Sequence, residues 1–299
     1  MNADVRAILQ SWSSPIGVDL ALCVAALIYA RGWFHLRSAF PNLIPLWRLA
    51  AFLTGIFFVW VAIGSPLSAI DDLSLTVHMI QHLLLMSVAP PLILLGAPQL
   101  PLLHGFPQPI VRNIVSPILR NSPVKRLGHV VANPAFCWLA ATIALVAWHV
   151  PAIFELALRW NWLHALGHAS FLTAGLLFWW PVIQPWPSVA RWPHWSIPLY
   201  LFAATLPCDA LSAFLAFCDR VVYSSYLAAP RLFAWSPLED QQCASALMWV
   251  LVTIIFLVPA VIVTMHILAP RGTQLAQEHV AVSGGMASHK LESSTHEVV

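Results

Sequence analysis

Charged side chains are scarce in this sequence of 299 residues. Asp, Glu, Lys and Arg together make up 9% of the chain, whereas hydrophobic residues make up 60%. Soluble domains carry roughly 25% charged residues, so this chain has too few charges to cover a globular surface in water. The composition excludes a soluble globular protein and predicts a polytopic membrane protein that contacts membrane lipid.

Several functional signatures are also missing. The basic residues are scattered and form no Lys/Arg run, so we expect no nucleic acid among the partners. The five cysteines are odd in number and include no CxxC pair, which is not the pattern of a disulfide framework. A Gly-rich phosphate loop and a nucleophile elbow are absent, so we do not expect an enzyme. The N-terminus lacks a basic region and a cleavage site, and we expect no cleaved signal peptide.

Long apolar runs are abundant. A bilayer-spanning helix needs about 20 residues at a rise of about 1.5 Å each, and seven runs reach or approach that length. They are Gly17–Trp33, Leu46–Ile63, Leu75–Leu95, Ala135–Val150, Leu163–Ile183, Ile197–Phe217 and Ala244–Leu268. The prediction is an all-α bundle of seven transmembrane helices over residues 1–270, followed by a disordered cytoplasmic tail over residues 271–299.

The distribution of Lys and Arg predicts the orientation of the chain. Ten of these residues fall in segments on one side of the membrane and four on the other. Because cytoplasmic loops are enriched in Lys and Arg, the N-terminus is expected outside and the C-terminus inside. Residues 97–134, on the inner side, are expected to form either an interfacial helix or an irregular Pro-rich loop. Residues 218–243, on the outer side, are expected to cover the outer mouth of the bundle. They include the aromatic residues Tyr223, Tyr226, Phe233 and Trp235.

Two of the apolar runs each contain a pair of histidines. His78 and His82 lie four residues apart and therefore on one face of a helix, with Met86 one turn further along. His164 and His168 repeat this spacing at the start of the fifth run.

At the predicted orientation these four histidines share one depth, in the outer half of the membrane, with further polar and sulfur side chains. His149 ends the fourth run, Asp209 lies near the outer end of the sixth, and the seventh begins at DQQC. The additional residues expected in this layer are His149, Cys208, Asp209, Asp240, Gln241 and Cys243.

An imidazole in hydrocarbon costs free energy unless it has a partner, so the layer predicts a shared ligand or a polar network. Imidazole ligands suit Cu, Zn and Fe, and sulfur neighbours favour Cu(I). Copper is the preferred interpretation, with His78, His82, Met86, His149, His164, His168 and Cys243 as metal ligands. Asp209, Asp240 and Gln241 are then expected to orient ligands from a second shell. A b-type haem between His82 and His168, a structural or proton-linked network, and a metal or proton transporter remain alternatives.

Three stretches carry a resemblance to a known family. They are HMIQHLLLMSVAPPLILLGAP, the segment from Trp148 to Ile183, and EDQQCASALMW. The chain resembles the caa3-type cytochrome c oxidase assembly factors of the CtaG type, although Cys243 and Ser245 depart from the family pattern. The resemblance implies a multi-pass protein of the bacterial plasma (inner) membrane that helps to mature a haem-copper oxidase. Its implied partners are cytochrome c oxidase subunits or other copper chaperones.

Overall fold

The computed structural model describes residues 15–39, 44–123, 128, 130, 133–184, 192–193, 195–231 and 234–269. Within these residues the chain is helical and no strand occurs. The helices are α1 (Ile16–Ala39), α2 (Leu46–Gly64), α3 (Leu75–Leu95), α4 (Gln99–Gly105), α5 (residues 108–120), α6 (Pro134–His149), α7 (Pro151–Arg159), α8 (Asn161–Ile183), α9 (Ser196–Phe217), α10 (Ser225–Ala228) and α11 (Pro237–Leu268).

Six helices, α1, α2, α3, α8, α9 and α11, are each long and apolar enough to span a bilayer. The bent pair α6–α7 raises the number to seven. This confirms the predicted all-α polytopic bundle, and α3 has the bounds that its apolar run predicted. The tail predicted for residues 271–299 lies outside the described residues. The direction in which the chain crosses the membrane stays a prediction.

The fourth predicted span is a bent pair of helices and not one straight helix. α6 has 16 residues, and the chain then turns by 73° into α7. The bend occurs at Val150, whose ψ of 122° is extended. Proline at position 151 explains this, because the residue before a proline is disfavoured in the α region. The bend leaves His149 as the last helical residue of α6.

α3 contains a wide turn in its middle. Residues Leu84–Val88 form a π-helical turn, and the N–H of Ala89 donates to the carbonyl of Leu84. Pro90 and Pro91 follow and have no N–H to donate to the carbonyls one turn earlier, which favours a local break in the α-helical pattern. Turns of this kind are frequent at functional sites, and this one lies directly after His82.

α8 packs against the wide turn of α3 at Gly175. A Cβ atom placed there would lie 2.5 Å from the carbonyl oxygen of Met86 and 2.6 Å from the ring of Pro90. We expect Gly175→Ala to destabilise the bundle by about 1–3 kcal/mol, the usual cost of overpacking. Thermal denaturation in detergent should show a lower midpoint, while Gly17→Ala, which has nothing within 4 Å, should not. An unchanged midpoint for Gly175→Ala would contradict this close approach of the two helices.

Residues 97–134, expected as an interfacial helix or an irregular loop, are helical in large part. α4 packs its backbone against α1: a Cβ at Gly32 would lie 1.8 Å from the carbonyl oxygen of Pro101, and one at Gly105 would lie 1.9 Å from that of Ile28. α5 follows as a largely exposed stretch that includes a second π-helical turn. The helical expectation is therefore the better of the two, and a position of these helices at the membrane interface stays a prediction.

The segment between α9 and α11 covers the histidine-bearing end of the bundle, as its aromatic residues predicted. Tyr223 and Tyr226 are almost fully buried there. The hydroxyl of Tyr223 donates to the carbonyl of His149 over 3.1 Å, and that of Tyr226 donates to the carbonyl of Asp71 over 2.9 Å. Phe233, expected in the same cover, lies outside the described residues.

Candidate metal centre

Five histidines from three helices meet at this end of the bundle. Ring centroids of His78 and His82 on α3 are 4.3 Å apart, and those of His164 and His168 on α8 are 4.4 Å apart. The two pairs face each other, with 5.3 Å between His78 and His164 and 5.9 Å between His82 and His168. His149, at the end of α6, lies 6.2 Å from His82. The structure therefore brings together all five histidines that the sequence places in one layer.

Each of these histidines has a buried ring nitrogen without a hydrogen-bond partner in the described part of the chain. The atoms are Nδ1 of His78 and His82 and Nε2 of His149, His164 and His168. A buried polar atom without a partner costs about 1–3 kcal/mol, and most such atoms in native proteins are satisfied. Five of them on rings that contact one another favour a ligand that accepts nitrogen lone pairs.

His149 is held in a ligating orientation by its own helix. Its Nδ1 lies 2.7 Å from the carbonyl oxygen of Leu145. Since that carbonyl can only accept, Nδ1 carries the proton and Nε2 carries the lone pair. A metal-binding histidine usually donates its other ring N–H in this way.

Asp71, in the turn before α3, joins the cluster from outside the spanning helices. Its Oδ2 lies 3.6 Å from Nε2 of His164. Single donor atoms of Asp71, His78 and His164 all lie within 4.8 Å of one another, a spacing that small side-chain rotations convert into metal bonds of about 2.0–2.2 Å. Burial, and next the neighbouring charge of Asp72, raise the pKa of Asp71 to about 7. Sequence reasoning missed this residue because the depth argument considered only the apolar runs.

The cluster divides into two sets by position along the helices. The outer group is Asp71, His78 and His164, which offers oxygen and nitrogen donors. The inner group is His82 and His168, one helical turn further along α3 and α8, together with His149, whose ring lies 6.2 Å from that of His82. His82 contacts both sets, because its ring also packs against His78.

A cavity of about 50 Å³ lies beside the inner group. His82, His149 and Met86 are among its lining residues, so the structure places the predicted ligand Met86 next to two of the predicted histidines. Cys208 also lines it. Cys243 is a free, half-buried cysteine on α11 that does not line this cavity, and its role as a ligand stays a prediction.

The residues expected in the second shell make other contacts. The carboxylate of Asp240 accepts hydrogen bonds from the start of α3, at Ser74, Leu75 and Thr76. These bonds fix the helix that carries His78 and do not reach an imidazole directly.

Gln241 holds the segment that leaves α9. Its Oε1 accepts from the N–H of Val222, and its Nε2 donates to the carbonyls of Leu215 and Arg220. Asp209 has one buried carboxylate oxygen without a hydrogen-bond partner among the described residues. Its predicted action on a histidine stays a prediction.

A porphyrin fits this arrangement less well than a single ion. The ring of His82 is 5.9 Å from that of His168, and it also packs at 4.3 Å against both His78 and Phe171. The adjacent cavity measures about 50 Å³, whereas pockets for drug-sized ligands measure about 300–1,000 Å³. Haem would require these rings to separate, and one metal ion would not.

The fold and the cluster define a multi-pass helical membrane protein with a buried, histidine-rich candidate metal centre. Residues 27–269 match the family described as the cytochrome c oxidase caa3 assembly factor. The chain belongs to this family, which confirms the resemblance seen in its HMIQH and DQQ segments.

Curated relatives of the chain are longer mycobacterial proteins. The uncharacterized protein Mb0105 of Mycobacterium bovis is 27% identical over 251 residues, which cover 82% of this chain and 37% of the relative. The uncharacterized protein ML1998 of Mycobacterium leprae is 25% identical over 198 residues, which cover 64% of this chain and 29% of the relative. The chain thus spans well under half the length of these relatives. No solved structure matches it significantly.

Proposed function

We propose that this protein assists the assembly of a haem-copper cytochrome c oxidase by binding copper in the five-histidine cluster and passing it to an oxidase subunit or to another copper chaperone. One observation supports this most strongly: five buried imidazole nitrogens without hydrogen-bond partners in the described residues belong to rings that contact one another. Copper is here a cargo, and the protein is not an enzyme.

The choice of copper follows from the donor atoms. Imidazole binds several first-row metals, and thioether or thiol neighbours shift the preference towards Cu(I). Met86 and Cys208 line the cavity beside His82 and His149. Family membership supplies the process, because the client of a caa3 oxidase assembly factor needs copper to mature.

Delivery to one side of the membrane is favoured over transport across it. The histidines lie at one end of the bundle, and the remainder of α3 and α8 packs through apolar side chains such as Leu94, Phe178 and Trp179. A transport path would require polar residues to continue through this part. We propose that the protein resides in the bacterial plasma membrane with the cluster on the outer side, as the distribution of Lys and Arg predicts.

Metal analysis of purified protein tests the proposal. Protein prepared without chelator should contain copper. His168→Gln should lower its affinity for Cu(I) by about tenfold or more, because even the loss of a residue that only orients a ligand lowers metal affinity by about 10–100-fold. His266→Gln is the matched control: this imidazole is exposed on α11, and its Nδ1 lies 2.8 Å from the carbonyl oxygen of Ile262 on the same helix. Equal Cu(I) affinity in His168→Gln and wild type would contradict the proposal, as would a haem absorption band in copper-free protein.

A further inference from the structure

Four sulfur-containing side chains from three helices line the cavity beside the inner group. They are Met79 and Met86 on α3, Cys208 on α9 and Met248 on α11. Met79, Cys208 and Met248 are almost fully buried. The described residues contain four methionines, and three of them line this one cavity; the fourth, Met265, is exposed.

Two histidines contribute imidazole rings to the lining of the same cavity. His82 and His149 belong to its lining, and each has a buried ring nitrogen without a hydrogen-bond partner among the described residues. Methionine alone is a common filler of apolar cores. A packed filler, however, leaves no space, whereas about 50 Å³ remains here, several times the roughly 10–15 Å³ that one water occupies by the same kind of measure.

The donor types change with depth. The outer group of Asp71, His78 and His164 offers a carboxylate and imidazoles, which suit borderline divalent ions. The cavity offers thioethers and one thiol together with imidazoles, which suit soft monovalent ions such as Cu(I).

We propose that this sulfur-lined cavity is a second metal site, selective for Cu(I), separate from the outer group. The inference rests on the proposed copper-handling function and deepens it. His82 lies between the two sites, since its ring contacts His78 in the outer group and also lines the cavity. The ion enters and leaves as Cu(I), so no electron transfer is involved.

Silver(I) and Zn(II) distinguish the two sites, because Ag(I) mimics Cu(I) and prefers sulfur, whereas Zn(II) accepts imidazole and carboxylate. The test variant is Met86→Leu/Met248→Leu, which nearly conserves volume, and the control is Met265→Leu. In the double variant we expect Ag(I) affinity to fall by about tenfold or more, by analogy with other ligand-shell losses, while Zn(II) affinity stays unchanged. His164→Ala should show the reverse order: Zn(II) affinity should fall by more than Ag(I) affinity, because His164 belongs to the outer group and does not line the cavity.

X-ray absorption at the silver edge supplies a second readout. Wild-type protein should show sulfur in the first shell of Ag(I), and the double variant should show less. If the double variant does not fold, as judged by lost Zn(II) binding, Met86→Leu and Cys208→Ser alone carry the test.

Each of the other possible results would refute a specific part of the proposal. Unchanged Ag(I) affinity with a nitrogen-only shell would refute the sulfur site and leave the histidine cluster as the copper site. Parallel loss of Ag(I) and Zn(II) in folded His164→Ala would mean one site and not two. Wild-type protein that binds neither Cu(I) nor Ag(I) would refute the proposed function together with this inference.

Discussion

Alanine at His82 is expected to leave the protein at its normal level in the membrane and to abolish most activity of the client oxidase when copper is scarce. Among the described residues, His82 is the histidine whose ring contacts three others of the cluster: His78, His149 and His168. Its loss therefore removes a proposed copper ligand and also the contact between the outer and inner groups. Leu75, Met79 and Leu83 keep the apolar packing of α3, so insertion and folding should persist although the ring contact with Phe171 is lost.

The measurement compares oxidase activity and protein level in cells that carry wild type, His82→Ala or His266→Ala. His266 is exposed at the far end of α11, and its variant should behave as wild type. Excess external copper should partly restore oxidase activity in His82→Ala, because mass action offsets a weaker site. Wild-type activity of His82→Ala under copper limitation would show that the cluster does not supply the client.

The spanning helices could be predicted from the sequence because a bilayer imposes a length and an apolar composition. The run from Leu75 to Leu95 matches α3 at both ends. The bend in the fourth span could not be predicted from hydropathy, because hydropathy does not describe the effect of Pro151 on the backbone of Val150. α11 begins at Pro237, seven residues before its apolar run, where a capping box between Ser236 and Glu239 starts the helix.

The histidine cluster was predictable for a similar reason. Spacing by four residues fixes a shared helix face, and a known number of spans fixes depth, so the convergence of α3 and α8 followed from helix geometry. Asp71 was not predictable, because its position depends on a turn whose path no periodicity describes. The hydrogen bond from Tyr226 to the carbonyl of Asp71 shows that this turn is fixed by a distant segment.

The contacts of Asp240 also could not be predicted from the sequence. Its position in the sequence predicted its depth at the start of α11 but not which residues donate hydrogen bonds to its carboxylate. Ser74 precedes α3 and makes no cap bond with its own helix. Its hydroxyl donates across the bundle to Asp240 over 2.9 Å, so the cap of α3 comes from a residue 166 positions away in the chain.

We expect Asp240→Ala to destabilise the fold strongly, and by more than Gly175→Ala. The carboxylate accepts from the N–H of Leu75 over 2.8 Å and from that of Thr76 over 3.3 Å, and it also accepts from the hydroxyls of Ser74 and Thr76. Two buried backbone donors would lose their partner, at about 1–3 kcal/mol each. A negative charge at the N-terminus of α3 would also be lost, and such a charge stabilises the helix dipole.

Thermal denaturation in detergent and the yield of folded protein measure this effect. Asp240→Asn keeps an acceptor but not the charge, so its midpoint should fall between those of wild type and Asp240→Ala. Glu239→Ala is the matched control: it removes a neighbouring carboxylate that bonds only to Ser236 in the exposed capping box, and its effect should be smaller. Copper per folded molecule should stay at the wild-type value in Asp240→Asn, because the carboxylate holds the backbone of α3 and not an imidazole. Normal stability with weakened copper binding in that variant would contradict the capping role and favour a second-shell contact with a ligating histidine.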